Sequence, residues 1–351
     1  MNVKRLVRPN ILSLSAYEAK EIPCKVKLDA NESPYGFRAA ATIMKSLQTN
    51  RYPDPEAKNL RRLISKEFGL SRENVLQGNG SDELIYYLIT TFGGPVLYPV
   101  PTFSMYGIIA QALGEKRIAV PLDEKFDLDA KSILSSLRAD RPKLIFLSSP
   151  NNPTGNCFSS EKMLKILDGA KSRSLIVVDE AYHPFAGNKG FIQHLCEYEN
   201  LIIMKTLSKI GLAALRVGFL IAGEKIISEV NKVRLPFNIN SCSQAMAAEV
   251  LRNRKAFRQV VRLIVSERKR LSRELLKTPG VRPYPSDANF ILFRVDDPDR
   301  VYKGLLRRGV LVRNMRGVID GCLRVTVGTR KENDVFLGAL RGILKGDEGA
   351  L

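Results

Sequence analysis

One lysine and one acid each stand directly after an apolar, strand-like segment of this 351-residue chain. Lys209 lies in the segment 206–213, which follows the apolar run 201–204, and Asp179 follows the apolar run 175–178. An amine can bind an aldehyde cofactor covalently, and a carboxylate can keep a pyridine nitrogen protonated. The two residues therefore predict pyridoxal phosphate chemistry at the ends of two strands.

Two further polar segments lie beside predicted helices and strands. The segment 78–83 opens a helix, so its backbone N–H groups and the Ser81 hydroxyl could hold a phosphate, although Ser81 or Asp82 could also be an ordinary N-cap. The segment 149–155 reads SPNNPTG, which suits either a plain turn or an Asn152 amide that contacts a cofactor. Their joint occurrence with the lysine and the acid at strand ends, where open α/β sheets bind ligands, favours a site.

Short apolar strands alternate with helical patterns through the first two thirds of the chain. The predicted strands are 96–98, 118–120, 144–147, 175–178, 201–204 and 217–220, and the helices between them include 81–92, 103–113, 129–138 and 160–172. Continuous apolar strands between helices predict an α/β fold, with a mostly parallel sheet that helices cover on both faces. We assign this large domain to residues 36–235.

The pattern changes after about residue 235. A long helix at roughly 241–277 is followed by predicted strands near 289–295, 310–313 and 322–328 and by helices at 298–308 and 331–344. This arrangement predicts a second, smaller α+β domain over residues 236–351. Residues 1–35 form an N-terminal arm that belongs in part to the small domain.

The chain carries a formal net charge of +19 and a pI near 9.8, values that are typical of nucleic-acid binders. However, the basic residues are spread along the chain, and their densest cluster, 252–273, has an apolar side. That apolar side consists of Val261, Leu263, Ile264, Val265, Leu271 and Leu275. The cluster is therefore interpreted as the solvated face of a helix rather than as a nucleic-acid site. A positive field also attracts small anionic substrates.

Composition disfavours a membrane or metal protein. No apolar run approaches the ~20 residues of a membrane span, and the first residues lack the apolar core of a signal peptide. The five cysteines are scattered without a CxxC pair, so neither a metal site nor a disulfide framework is predicted. We therefore expect a cytoplasmic protein.

Taken together, the motifs resemble those of the fold-type I pyridoxal phosphate aminotransferases, nearly from end to end. In chain order they are 27–36 (KLDANESPYG), 51–55 (RYPDP), 149–155 (SPNNPTG), 179–182 (DEAY), 206–209 (TLSK), 215–218 (LRVG) and 322–329 (CLRVTVGT). The first and last motifs together are similar to the histidinol-phosphate branch of the family. The resemblance implies transfer of an amino group from L-histidinol phosphate to 2-oxoglutarate, giving imidazole acetol phosphate and glutamate.

The resemblance also implies roles around the cofactor ring. Lys209 would bind the cofactor and move a proton, and Asp179 would pair with the ring nitrogen. Asn152 and Tyr182 would contact the phenolate oxygen. Phe103 would stack on the ring, although it could also be an ordinary core residue.

The cofactor phosphate would lie among residues from three segments, namely Ser81, Asp82, Thr206, Ser208 and Arg216. The segment from Lys209 to Arg216 is one residue shorter than the family pattern, so we expect the loop to absorb the difference. Tyr52 would reach the phosphate in the neighbouring subunit. The resemblance therefore implies a homodimer.

Two arginines would select the substrates. Arg324 would bind the α-carboxylate of glutamate or 2-oxoglutarate, a contact that suits the planar guanidinium. Arg313 would help to bind the phosphate of histidinol phosphate, although it could also be a surface arginine. Asn152 and the Tyr17 hydroxyl would complete the substrate site.

Three alternative functions remain open at this point. The paired arginines also suit an aromatic or broad-specificity aminotransferase, and a threonine-phosphate decarboxylase has the same scaffold and a phosphate-bearing substrate. The third alternative is a non-catalytic, aminotransferase-like regulatory protein. The Lys209 and Asp179 pair favours catalysis over this last reading.

Overall fold

The computed structural model describes residues 1–16, 22–37, 41–187 and 189–346. The helices are α1 Pro9–Leu12, α2 Ala41–Ser46, α3 Lys58–Phe68, α4 Gly80–Phe92, α5 Met105–Leu113, α6 Ala130–Ala139, α7 Ser160–Ala170, α8 Glu224–Asn231, α9 Ser241–Arg252, α10 Arg254–Leu276, α11 Pro298–Arg307 and α12 Arg330–Leu344. Short 3₁₀ turns occur at Val3–Leu6, Arg72–Asn74, His183–Phe185, Ile192–His194, Ser208–Ile210 and Ala213–Leu215.

The strands form one large sheet and two smaller ones. They are β1 Val26–Lys27, β2 Val75–Asn79, β3 Val96–Val100, β4 Arg117–Pro121, β5 Leu144–Ser148, β6 Leu175–Asp179, β7 Leu201–Thr206, β8 Val217–Ala222, β9 Arg282–Pro283, β10 Phe290–Arg294, β11 Val310–Leu311, β12 Arg313–Asn314 and β13 Cys322–Thr326. The seven-stranded sheet has the order β2-β8-β7-β6-β5-β3-β4. Its strands β3 to β7 pair in parallel, whereas β8 is antiparallel to both β7 and β2.

The large sheet is buried on both faces. Ile145 and Leu147 of β5 belong to one hydrophobic cluster, whereas Leu144 and Phe146 of the same strand belong to another. Successive side chains of a strand point to opposite faces, so the two clusters lie on opposite sides of the sheet. The predicted α/β fold with a mostly parallel, helix-covered sheet is confirmed.

The C-terminal part contains a four-stranded antiparallel sheet in the order β12-β13-β10-β9. Near the N-terminus, β1 pairs in parallel with β11, which joins the N-terminal segment to this part of the chain. The domain boundaries after residues 35 and 235 stay a prediction. In the part of the chain that the structure describes, no helix is both long and apolar enough to cross a bilayer.

The long helix predicted at 241–277 is wrong in one respect, because it is two helices that meet at Asn253. The Asn253 side chain accepts a hydrogen bond from the backbone N–H of Ala256 and so caps the start of α10. The expected face of α10 also differs from the prediction. Arg268 is buried and donates to the carbonyl oxygens of Phe185 and Ala288, whereas Leu263 is exposed.

Candidate active site

The polar segments identified in the sequence meet at one edge of the large sheet. β2, β5, β6 and β7 run in the same direction, so their carboxyl ends lie together, and the antiparallel strand β8 begins at the same edge. In this register Ser148 is opposite Asp179, and Thr206 is opposite Gly218. The strand β2 was not predicted, yet it places the start of α4 at this edge.

Asp179 is a buried carboxylate held by two donors. Its side chain is 3% exposed, the Tyr106 hydroxyl donates to Oδ2 at 2.6 Å, and the Ala181 N–H donates to Oδ1 at 2.9 Å. Burial raises the pKa of Asp179 to about 6, although these hydrogen bonds and the Lys209 charge act in the opposite direction. Among the described residues, no cation lies within ion-pair distance of Asp179. A protonated ring nitrogen would supply the missing partner.

Lys209 lies on the 3₁₀ turn Ser208–Ile210 that follows β7. Its Nζ is 5.7 Å from the centroid of the buried Tyr182 ring. Gly211 follows the turn with φ of +104°, and a Cβ atom there would overlap the carbonyl oxygen of Tyr35. Glycine is needed because the N-terminal segment passes directly against the lysine turn.

Tyr182 is held from the N-terminal segment. The side-chain amide of Asn31 donates to the Tyr182 hydroxyl at 2.9 Å, and both residues are buried. The Tyr182 ring packs edge-on against Phe290, with 5.1 Å between the ring centroids. Tyr182 was predicted, but its partner Asn31 was not, although Asn31 stands inside the 27–36 motif.

The predicted phosphate-binding residues surround the guanidinium of Arg216. Nη1 donates to Oγ of Ser208 at 3.3 Å, and Nη2 donates to Oδ2 of Asp82 at 3.2 Å. The Thr206 hydroxyl in turn donates to Oγ of Ser208 at 2.9 Å. A Cβ atom on Gly80 would overlap the guanidinium where it now lies, and Gly80 also has a φ of +78°, so glycine suits the start of α4. Ser81 follows at the same helix terminus, where free N–H groups favour an anion.

The segment between Lys209 and Arg216 is folded into tight turns. Two 3₁₀ turns follow one another there, Ser208–Ile210 and Ala213–Leu215, and the residue after each turn has a left-handed backbone conformation. The second of these residues is Arg216 itself, with φ of 52°. The tight turns therefore still deliver the guanidinium to the Ser208 hydroxyl.

Asn152 and Arg324 are in direct contact. Nη1 of Arg324 donates to the amide oxygen of Asn152, Nη2 donates to the carbonyl oxygen of Asp29 at 2.7 Å, and the guanidinium lies over the ring of Phe290 at 5.2 Å. Because Arg324 donates to the Asn152 oxygen, the N–H groups of the Asn152 amide remain to donate to a ligand. The neighbouring Asn151, which was not predicted, is the residue that holds the turn through Pro101, Thr102 and Thr154.

Arg313 lies directly opposite Arg324 in the pairing of β12 with β13. Opposite residues of an antiparallel pair point to the same face, and two like charges there are unfavourable without an anion between them. Arg313 is exposed, whereas Arg324 is buried. The pair therefore presents one fixed and one accessible cation on a single face.

Phe103 and Tyr52 occupy different surroundings. Phe103 packs edge-on against Tyr106 with 5.7 Å between the ring centroids. Tyr106 is the residue whose hydroxyl donates to Asp179. Tyr52 is 82% exposed and stacks on Phe237 at 4.6 Å, so the described part of its own chain does not enclose it. Tyr17 lies outside the residues that the structure describes. Tyr106 was missed in the sequence, because its place shortly after Phe103 does not indicate a contact with Asp179.

The residues at this edge fit pyridoxal phosphate. A buried carboxylate that lacks a cation suits the pyridine nitrogen, and the Lys209 amine suits the aldehyde. The helix terminus, the hydroxyls and Arg216 suit a phosphate, since a Cβ atom on Gly80 would close this cradle. The remaining donors, the Asn152 amide and the Tyr182 hydroxyl, suit the phenolate oxygen.

Comparisons with known proteins agree with this chemistry. The family model "Aminotransferase class I and II" matches residues 11–340. The histidinol-phosphate aminotransferase of Thermoanaerobacter sp. (strain X514) is 42% identical over 353 residues, which cover 97% of this chain and 99% of the relative. That of Aquifex aeolicus (strain VF5) is 43% identical over 354 residues, which cover 97% and 98%.

Among solved structures, the chain is similar to histidinol-phosphate aminotransferase from Sinorhizobium meliloti in complex with pyridoxal-5'-phosphate. The TM-score is 0.86 at 23% identity, over 97% of this chain and 98% of the other, which is a likeness of fold. The family match and the two relatives cover nearly the whole chain. The chain therefore belongs to the class I and II aminotransferases, a family of pyridoxal phosphate-dependent enzymes.

Proposed function

We propose that this enzyme transfers the amino group of L-histidinol phosphate to 2-oxoglutarate, giving imidazole acetol phosphate and glutamate, as in histidine biosynthesis. The observation that carries the proposal is the cross-strand pair Arg313 and Arg324 beside Asn152. The relatives at 42% and 43% identity, which are named histidinol-phosphate aminotransferases, support it. The two substrates would occupy the same site in turn.

The two arginines would divide the anionic groups of the substrates. Arg324 is held by Asn152, Asp29 and Phe290, so its guanidinium offers a fixed face to the carboxylate of glutamate or 2-oxoglutarate. Arg313 is exposed and can follow a larger ligand, so we assign it to the phosphate of histidinol phosphate. Tyr17 is proposed as a further hydroxyl donor to the substrate.

Each residue of the site is assigned a defined role. Pyridoxal phosphate, when bound, supplies the electron sink that lets the substrate Cα proton leave. Lys209 would hold the cofactor and would carry that proton between Cα and C4′. Asp179 would keep the ring nitrogen protonated, and Tyr106 and the Ala181 N–H orient its carboxylate. Phe103 would pack against the cofactor ring, as the family resemblance implies.

Anionic groups of the cofactor are assigned to two sets of donors. The Asn152 amide and the Tyr182 hydroxyl would donate to the phenolate oxygen. The N–H groups at Ser81 and Asp82, the hydroxyls of Thr206 and Ser208, and Arg216 would donate to the phosphate. Since Arg216 is paired with Asp82, the phosphate would share this guanidinium with a carboxylate.

We further propose that the enzyme is a cytoplasmic homodimer. The exposed stack of Tyr52 on Phe237, with the exposed Leu235 beside it in sequence, supports a subunit contact there. In the dimer, the Tyr52 hydroxyl would reach the cofactor phosphate of the partner.

Turnover with 2-oxoglutarate and four amines tests the proposed substrate. The amines are histidinol phosphate, histidinol, phenylalanine and threonine phosphate. We expect histidinol phosphate to exceed histidinol in kcat/KM by about 10²- to 10³-fold, because charge-assisted contacts to a phosphate are strong. Equal use of phenylalanine would favour a broad-specificity aminotransferase, and release of CO₂ from threonine phosphate would favour the decarboxylase.

Two variants assign that preference to Arg313. Arg313→Gln should reduce the preference for histidinol phosphate over histidinol to about tenfold or less, with little effect on the use of glutamate. Arg316→Gln is the matched control, because Arg316 is exposed and already paired with Asp299 at 3.1 Å. If both variants kept the full preference, the phosphate would have to be bound elsewhere.

A further inference from the structure

Asn31 has an unusual backbone and a buried position for a polar residue. Its φ is 55°, in the left-handed region that most side chains avoid, and the residue is 2% exposed. It lies shortly after β1, in the N-terminal segment, and not on the large sheet that carries the catalytic residues. A left-handed, buried asparagine requires surroundings that hold it in place.

Three distant segments hold Asn31. Its backbone N–H donates to Oγ1 of Thr326 at 2.9 Å, and its carbonyl oxygen accepts from the side-chain amide of Asn289 at 2.9 Å. Oγ1 of Thr326 also donates to Oδ1 of Asn31 at 3.4 Å. With its oxygen directed at Thr326, the amide presents its NH₂ group to the Tyr182 hydroxyl.

The direction of this last hydrogen bond constrains Tyr182. A tyrosine hydroxyl has one hydrogen, and an oxygen that already accepts from an amide N–H must point that hydrogen elsewhere. The ionisable groups near the Tyr182 side chain are Lys209, whose amine lies over its ring, and Tyr106, which also bonds Asp179. Arg324 lies over the ring of Phe290, against which Tyr182 packs. The hydroxyl hydrogen is therefore available to a ligand beside Lys209.

We propose that Asn31 is a positioning residue that commits the Tyr182 hydroxyl to donate to the phenolate oxygen of the cofactor. The inference rests on the proposed role of Tyr182. Asn31 would donate to the Tyr182 oxygen as Arg324 donates to the Asn152 oxygen. In both cases the oxygen is occupied, so the O–H or N–H group is left to donate to the cofactor. The N-terminal segment would thus tune the cofactor from outside the domain that binds it.

Two substitutions are compatible with the left-handed backbone and remove the amide donor. Asn31→Asp is nearly isosteric and tolerates the left-handed conformation, but its carboxylate accepts and would draw the Tyr182 hydrogen toward itself. Asn31→Gly also tolerates the conformation and removes the amide. Asn289→Ala is the structural control, because it loosens the same segment without a contact to Tyr182.

The readout is the pH midpoint of the visible absorbance change of the cofactor-loaded enzyme, without any substrate. The phenolate oxygen of the cofactor shares the proton that titrates. A hydrogen bond donated to this oxygen weakens its hold on that proton, so losing the donor should raise the pH midpoint. We expect Asn31→Asp and Tyr182→Phe each to raise it by about one pH unit, and Asn31→Gly by roughly half as much. Asn289→Ala should lower the melting temperature and leave the midpoint unchanged.

The double variant Asn31→Asp with Tyr182→Phe decides whether the effect passes through Tyr182. The proposal predicts the midpoint of Tyr182→Phe alone, since Asn31 would have nothing left to position. An added shift in the double variant, wild-type midpoints in both Asn31 variants, or an equal shift in Asn289→Ala would overturn the proposal. Because no amine is present, these outcomes are independent of whether histidinol phosphate is the substrate.

Discussion

The two ends of the proposed cofactor site differ in how far the single chain completes them. At the ring end, Asp179 and Tyr182 are almost fully buried, and each accepts hydrogen bonds from the same chain. At the phosphate end, the Arg216 and Asp82 side chains are 43% and 44% exposed, and Tyr52 stands in solvent. One end is enclosed by residues of the chain itself, whereas the other is open to solvent.

The difference suggests that one end of the site controls the reaction rate and the other controls the affinity for the cofactor. In a buried site, a charge acts through a low dielectric and cannot be replaced by water, so the ring end should control the rate of proton transfer. An exposed ion pair such as Arg216 with Asp82 contributes about 0–1 kcal/mol to stability, so a phosphate can compete for it at little cost. The phosphate end should therefore control how tightly the cofactor is held.

The largest effect is expected at the ring end. Asp179→Asn should lower turnover by about 10²- to 10⁴-fold at saturating cofactor, because the ring nitrogen loses its charged partner. Asp296→Asn, at an exposed aspartate, is the control and should retain wild-type turnover. If turnover by Asp179→Asn stayed within threefold of wild type, the proposed role of Asp179 would be wrong.

The same variant has a second, pH-dependent signature in the cofactor-free protein. Burial raises the pKa of Asp179 from its ordinary 3.8 to about 6, so the folded protein binds this proton more tightly than the unfolded chain does. The group therefore costs stability increasingly as pH rises from about 4 to about 6. The free energy of unfolding of Asp179→Asn, relative to wild type, should increase across that interval. A constant difference would contradict the raised pKa.

A smaller effect is expected at the phosphate end. Arg216→Gln should weaken cofactor binding by about 10- to 100-fold, because a charge-assisted contact is lost, and should leave turnover at saturating cofactor within about tenfold. Cofactor fluorescence gives the affinity, and Arg117→Gln at an exposed arginine is the control. A fall in turnover as large as that of Asp179→Asn would remove the distinction between the two ends.

The smallest effect is expected at Tyr52. Tyr52→Phe keeps the stack on Phe237 but lacks the hydroxyl, so cofactor affinity should fall about fivefold, the value of one hydrogen bond that water can replace at an open site. Tyr86→Phe, at another exposed tyrosine, should change nothing. Sedimentation should show a dimer in both variants. A fully active wild-type monomer would contradict a phosphate end shared between subunits.

The sequence predicted the elements and the residues at strand ends because these follow from local patterns. Apolar runs and the helices between them determine a parallel sheet, and its carboxyl edge then collects Asp179, Thr206 and Lys209. The prediction of one helix at 241–277 was wrong at Asn253, since an amphipathic repeat can continue from the end of one helix into the next. The strand β2 was missed because it ends in Gly78 and Asn79, which are typical of turns.

Partners of the catalytic residues could not be predicted in the same way. Asn31 lies 151 residues from Tyr182 and 295 residues from Thr326 in the sequence, and only the folded chain brings them together. The Tyr106 hydroxyl likewise reaches Asp179 across 73 residues. Residue type alone does not predict such contacts, because a buried tyrosine or asparagine can form its hydrogen bonds with many different partners.

The central claim is that Lys209 and the buried ring end carry out amino-group transfer from histidinol phosphate. The most direct measurement is the half-reaction: cofactor-loaded enzyme mixed with histidinol phosphate and no keto acid, followed by visible absorbance. The visible band should be lost rapidly, more slowly with phenylalanine or threonine phosphate, and Lys209→Ala should show neither the band nor turnover. A band that persists with histidinol phosphate, or turnover retained by Lys209→Ala, would contradict the claim.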